Sequence, residues 1–138
     1  MCGIVGHIKR DGKVDQDIFR KMLKTIEHRG PDGEGDFISS DSKRALGHRR
    51  LSFLDLSELG KQPMSNSEAT VWVSFNGEIY NYLELKEELR NGYEFITGSD
   101  TEVILAAYQA WGMDFVNRLK GMFAIALLDE KKELLHLI

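Results

Sequence analysis

The chain's single cysteine is its second residue, Cys2. If an aminopeptidase removes Met1, which it does when the next residue is small, a thiol and a free α-amine stand on one residue. An α-amine titrates close to the range of a thiol. It can serve as the adjacent general base that a nucleophile needs, with no histidine required. A sulfur so activated can attack a carboxamide carbon. The plainer alternative is a small buried residue opening a strand, since a lone cysteine is by position only a candidate nucleophile.

Attack on a carboxamide produces an oxyanion, which fixed donors stabilise. Asn76 could offer its side-chain amide and Gly77 its backbone N–H, glycine permitting close approach. Asn-Gly after an alternating run is equally the signal of a tight hairpin turn. Arg50 and Asp100 suit an amino acid zwitterion: a guanidinium fork for the α-carboxylate and a carboxylate for the α-ammonium. Each has a plainer role, Arg50 as a solvated strand end and Asp100 as an acid favoured at a helix N-terminus. The glycine-rich run Gly30 to Gly35 neither follows a strand nor opens a helix and lacks the lysine of a phosphate loop, so we set it aside. The four histidines, His7, His28, His48 and His136, have no metal-ligand spacing, and one cysteine excludes Cys-pair zinc sites.

These residues must be held by elements the pattern predicts. Ile4 to Ile8 reads as a strand leaving Cys2-Gly3 directly. Asp15 caps a helix to about Ile26 with Ile18, Phe19, Met22, Leu23 and Ile26 on its apolar face. Gly33 to Ser39 and Arg44 to Arg50 read as strands joined by a polar turn. Leu51 to Asn66 is loop-like. Thr70 to Phe75 alternates as a strand. Asn81 and Glu84 have capping-box spacing before a helix to about Arg90, and Ser99 and Glu102 before another to Trp111. The second helix is apolar nearly all round and should lie deep. Glu94 to Thr97 is expected as a short strand, and Met122 to Leu128 as a strand buried on both faces. Asp129 to Lys132 makes a charged turn, and Glu133 to Ile138 begins a returning strand.

With 138 residues, 42% hydrophobic and 29% charged, the chain fits one domain with a real core. Its net charge of −4, with no basic run, argues against nucleic acid and anionic membrane as main partners. No apolar stretch approaches the roughly 20 residues of a membrane span. The charged N-terminal stretch is unlike a signal peptide. The cytoplasm is therefore the expected compartment.

Taken in order, MCGIVG, HRGPDG (His28 to Gly33), HRRLSFLDLS (His48 to Ser57), FNGEIYN (Phe75 to Asn81), TGSDTEVIL (Thr97 to Leu105) and LKGMFAIALLD (Leu119 to Asp129) resemble the class II glutamine amidotransferases, a group of N-terminal-nucleophile hydrolases. The wording of FNGEIYN and TGSDTEV is most like the glutaminase domain of glutamine-hydrolysing asparagine synthetases. The resemblance implies an α+β fold, a four-layer αββα sandwich truncated at its C-terminus, with residues 1–138 forming an incomplete amidotransferase domain. It implies Cys2 as nucleophile and Asn76 and Gly77 as the oxyanion hole. It implies Arg50 for the glutamine α-carboxylate and Asp100 for its α-ammonium, with Leu51, Ser52, Phe53, Leu54 and Glu78 as further pocket positions. The implied substrate is L-glutamine, and the implied partner is a synthetase domain of the same full-length chain. No metal or cofactor is implied for the glutaminase half; ATP and Mg²⁺ would belong to the absent synthetase half. A sugar or other ammonia acceptor, a glutamine-binding module without hydrolysis, and a homodimer all stay open at this point.

Overall fold

A computed structural model describes residues 2–51 and 60–138. Met1 and residues 52–59 lie outside the described residues, and with them the pocket positions Ser52, Phe53 and Leu54.

Two antiparallel sheets organise the chain. The first has the order β1-β3-β2, from strands β1 (Gly3–Ile8), β2 (Gly33–Ile38) and β3 (Arg44–Arg50). The second has the order β4-β5-β6-β7, from β4 (Met64–Ser65), β5 (Val71–Ile79), β6 (Gly121–Asp129) and β7 (Leu134–Leu137). Helix α1 (Gln16–Thr25) packs on the outer face of the first sheet through Phe19 beside Val14 and Ala45. Helices α2 (Tyr82–Leu89) and α3 (Asp100–Trp111) cover the outer face of the second, closing a core that includes Val73, Phe75, Ile79, Val103, Ile104, Phe115 and Leu127. Between the sheets lie Leu46, Ala126 and Leu128, with Ile4, Phe37, Trp72 and Leu135 against them. The rings of Phe37 and Trp72 stack across this seam at 3.9 Å between centroids.

Strand alternation then assigns every side chain to a face. Ile4, Leu46 and Trp72 mark the inner faces. Cys2, His48 and Arg50 therefore point from the first sheet toward the second. Ser74, Asn76 and Glu78 point back from β5.

Local chemistry explains where the elements begin and end. Asp15 caps α1 by accepting the Ile18 N–H at 3.0 Å, as its position predicts. Phe19 and Leu23 are buried as expected, whereas Ile18 is half exposed, because only the narrower stripe meets the sheet. Ser99 accepts the Thr101 N–H at 3.1 Å at the start of α3, and Gly112, at φ 57°, ends that helix. Every residue from Asp100 to Tyr108 is buried, as the all-round apolar pattern requires.

Other expectations fail, and polar side chains account for most of them. Asn81 makes no side-chain cap on α2. Its amide instead donates to the Arg118 carbonyl at 3.0 Å and accepts the Lys120 N–H at 2.9 Å, tying α2 to the entry of β6. The segment Glu94 to Thr97 is not a strand. The Glu102 carboxylate takes the Ile96 and Thr97 N–H groups at 2.9 and 2.7 Å, and the Thr97 hydroxyl at 2.7 Å, leaving those groups no sheet partner to seek. In β6, burial on both faces holds only from Ile125 onward; Met122 is 73% exposed.

Candidate functional site

Cys2 sits at the lip of the first sheet and is partly buried. β1 pairs with β3 through Gly3 opposite Arg49, and one further step in that register sets Cys2 opposite Arg50. The Leu51 N–H donates to Cys2 Sγ at 3.4 Å, and the thiol donates to the Leu51 carbonyl at 3.6 Å. The Cys2 carbonyl accepts from Arg29 Nε at 3.1 Å. Arg29 belongs to a 3₁₀ turn, Glu27–Arg29. That turn lies so close to β3 that a Cβ on the following Gly30 would come within 2.6 Å of the Arg50 nitrogen. Sequence reasoning did not single out Arg29; its place in the HRGPDG run was the available signal.

The His48–Phe75 hydrogen bond brings the inner face of β3 to the middle of β5, and the second half of β5 runs on from there. Asn76 and Gly77 do not form the hairpin turn that their dipeptide suggested. They lie within a nine-residue strand, paired with Ala124 and Phe123 of β6. The dipeptide serves a close contact: Gly77 has φ 156°, and a Cβ there would press on the Met122 carbonyl and lie 2.6 Å from the Phe123 Cα. Only glycine meets both conditions.

The ladder's phase fixes where the backbone donors of β5 point. Tyr80 donates to Lys120 and Glu130 to Thr70 across the β5–β6 register, so even-numbered residues of β5 bond β6. Ile125 exchanges both bonds with Ile138, which confirms the alternation on the other side of β6. Odd-numbered residues of β5 therefore turn their N–H groups outward. The Phe75 N–H goes to Gln62 Oε1 at 2.6 Å, and the Ile79 N–H to Asp100 Oδ2 at 3.0 Å. The Gly77 N–H lies between them and meets no acceptor among the described residues. Gly77 itself is exposed.

Asp100 is 5% exposed at the N-terminus of α3. Burial pushes its carboxyl up to about 6, against the Ile79 hydrogen bond, and the neighbouring Glu78 charge adds to the rise. His48, two residues before Arg50, is fully buried, and its Nε2 lies 3.0 Å from the Phe75 carbonyl. Burial holds its imidazole down to about 4, the Phe75 bond opposing and the Arg50 charge assisting. The His48–Phe75 bond joins the sheets directly. It leaves Arg50 two residues away along one strand and Asn76 one residue away along the other. His48 and Gln62 escaped the sequence reading. For His48 the signal was available, because a period of two puts it on Arg50's face.

Among the described residues, no three His, Cys, Asp or Glu side chains group as a metal site. Among them too, no helix is long and apolar enough to cross a membrane.

Two sheets whose inner faces carry Cys2 and Asn76, with the Gly77 N–H open at the edge of β5, fit the family to which the chain belongs: the glutamine amidotransferase domain family, whose model matches residues 1–138. It is similar to three curated proteins in particular. One is asparagine synthetase [glutamine-hydrolyzing] 1 of Bacillus subtilis, 43% identical over 141 residues, covering 99% of this chain and 22% of that protein. Another is a putative asparagine synthetase [glutamine-hydrolyzing] 2 of Methanocaldococcus jannaschii, 44% identical over 151 residues, covering 98% and 29%. The third is asparagine synthetase B [glutamine-hydrolyzing] of Escherichia coli, 42% identical over 135 residues, covering 96% and 24%. Among solved structures, the glutamine phosphoribosylpyrophosphate amidotransferase of B. subtilis superposes with a TM-score of 0.70 at 23% identity, over 94% of this chain and 35% of that one. That likeness concerns the fold, which is α+β in both. The chain spans less than a third of the length of these curated relatives.

Proposed function

We propose that this chain is the glutamine-hydrolysing unit of a larger amidotransferase, built as an N-terminal-nucleophile αββα sandwich. The observation that carries the reading is the Gly77 N–H left open at the edge of β5 between two N–H groups that side chains already occupy, next to Asn76 on the face turned toward the sheet that bears Cys2. A donor left open in an otherwise satisfied strand edge is what an oxyanion hole requires.

In this reading Met1 is removed. The Cys2 α-amine takes the thiol proton, and Sγ bonds to the carboxamide carbon of L-glutamine. The tetrahedral oxyanion is held by the Asn76 amide and the Gly77 N–H. Collapse breaks the C–N bond, the α-ammonium returns the proton to the leaving nitrogen, and ammonia departs from a γ-glutamyl thioester. Water then attacks the thioester carbon, giving glutamate and restoring the thiol. Arg50 holds the substrate α-carboxylate and Asp100 its α-ammonium. The family resemblance adds Leu51, Ser52, Phe53, Leu54 and Glu78 as further positions for binding the substrate. The similarity to asparagine synthetases supports aspartate as the acceptor's source, activated with ATP and Mg²⁺ by a synthetase domain.

Intact mass should show loss of the initiator methionine, and Cys2→Ala should abolish release of ammonia from glutamine. Full glutaminase activity in Cys2→Ala would end the proposal. Transfer of the ammonia to a sugar and not to aspartate would redirect the acceptor alone.

A further inference from the structure

We infer that His48 and Gln62 are positioning residues that clamp the main chain of Phe75, and through it hold the Asn76–Gly77 peptide in register for the oxyanion. This rests on the glutaminase reading above and adds two residues to it.

The outer edge of β5 is covered by β4 only at Trp72 and Val73. A longer β4 would have paired the remaining outward groups and closed the Gly77 N–H. Two side chains stand in for that missing strand. Gln62, 7% exposed, accepts the Phe75 N–H at 2.6 Å. His48, with no exposure, meets the Phe75 carbonyl at 3.0 Å. A carbonyl only accepts, so His48 Nε2 carries the proton and donates. The bare Nδ1 is then an acceptor, and it is buried with no partner among the described residues. An unsatisfied buried nitrogen is costly, and what the ring secures in exchange is the peptide that leads into Asn76.

The far end of each clamp matters equally. Gln62 Nε2 donates to the Thr101 hydroxyl at 3.1 Å, one residue along α3 from Asp100. His48 lies two residues from Arg50 on β3. The Phe75 peptide is thus the junction of three parts: the strand with the oxyanion donors, the helix with the ammonium-binding carboxylate, and the strand with the carboxylate-binding arginine. Small displacements of such a donor are expensive in rate, and supporting hydrogen bonds preserve its geometry.

The test uses the intact protein with His48→Phe, His48→Asn and Gln62→Leu. Loss of either clamp should lower kcat for glutamine hydrolysis by about 10- to 100-fold, with KM changed by less than about threefold. Glutamate γ-semialdehyde adds reversibly to the Cys2 thiol, giving a tetrahedral adduct whose oxygen occupies the oxyanion position. Its inhibition constant should rise by the same factor as kcat falls. Alkylation of Cys2 by iodoacetamide, which needs no oxyanion hole, should keep its wild-type rate. His48→Asn, which retains an N–H donor, should recover part of the loss. Unchanged kcat, a rise in KM alone, or alkylation that slows in step with hydrolysis would each overturn the inference. Should His48→Phe fail to fold, Gln62→Leu and His48→Asn decide the matter by the same readouts. Activity surviving in Cys2→Ala would instead remove the glutaminase reading beneath it.

Discussion

Asp100 and His48 make opposed contributions to stability as pH falls, and separating them tests the account of both burials. His48 is held down to about 4 from an ordinary 6.5. Between those values the unfolded chain binds a proton that the folded one does not. Stability from this group is complete above pH 6.5 and is lost as pH falls toward 4. At 1.36 kcal/mol per unit, the loss is about 3 kcal/mol. Asp100 is raised to about 6 from 3.8. Between those values the folded chain binds the extra proton, so acidification from pH 6 adds stability, again by about 3 kcal/mol. In the window from about 4 to 6 the two slopes cancel. Asp100→Asn, which keeps an acceptor for the Ile79 N–H, removes the second slope. Its stability relative to wild type should fall by about 3 kcal/mol between pH 7 and pH 4. His48→Gln removes the first, and its relative stability should rise by about the same amount. Urea unfolding midpoints at half-unit pH steps give both difference curves, provided the transitions stay two-state. Flat difference curves, or two curves sloping the same way, would refute the assignment of either group to a desolvated site.

Four further outcomes follow from the same geometry. Glutamine KM should rise as pH falls below 6, because the carboxylate form of Asp100 is the one that attracts an ammonium; steady-state assays from pH 5 to 8 measure it, and a flat KM counts against that role. Gly77→Ala places a Cβ against the Met122 carbonyl and Phe123, so it should destabilise by about 3 kcal/mol or more and abolish hydrolysis, read by urea midpoint and ammonia release. Glu102→Gln weakens three charge-assisted bonds and should cost about 2 kcal/mol, with faster amide exchange at Ile96 and Thr97. Leu127→Ala, in the core beneath α3, should cost about 2–5 kcal/mol in thermal or urea unfolding while leaving Cys2 alkylation unchanged in the folded fraction.

Much of this was legible in the sequence where periodicity and position carried the signal. Strands β1, β2, β3 and β5 and helices α1 and α3 follow from alternation, a cap and an apolar stripe. Cys2 stands out by its position as the lone cysteine next to the initiator methionine, whereas the ordered motif series, and not residue type, singles out Arg50 and Asp100. What escaped has one cause: polar side chains that bond backbone far away in the chain. Glu102 dissolves an expected strand at Glu94 to Thr97 by taking its N–H groups. Asn81 leaves its expected cap for Arg118 and Lys120, more than 30 residues on. His48 and Gln62 looked unremarkable until their partner, the Phe75 peptide, was in place. Asn76-Gly77 shows the converse: a strong local turn signal gave way to ladder pairing along all of β5.

The Phe37–Trp72 stack gives the seam between the sheets an optical signature. The chain has two tryptophans, and the other, Trp111, lies under the Arg118 guanidinium on the helical side, 4.0 Å from ring centroid to cation. The surroundings of one indole thus change with relative sliding of the two sheets, those of the other with motion of α3 against its following turn. Fluorescence from single-tryptophan variants would therefore distinguish opening of the seam between the sheets from loosening of the outer helices, without any label added to the protein.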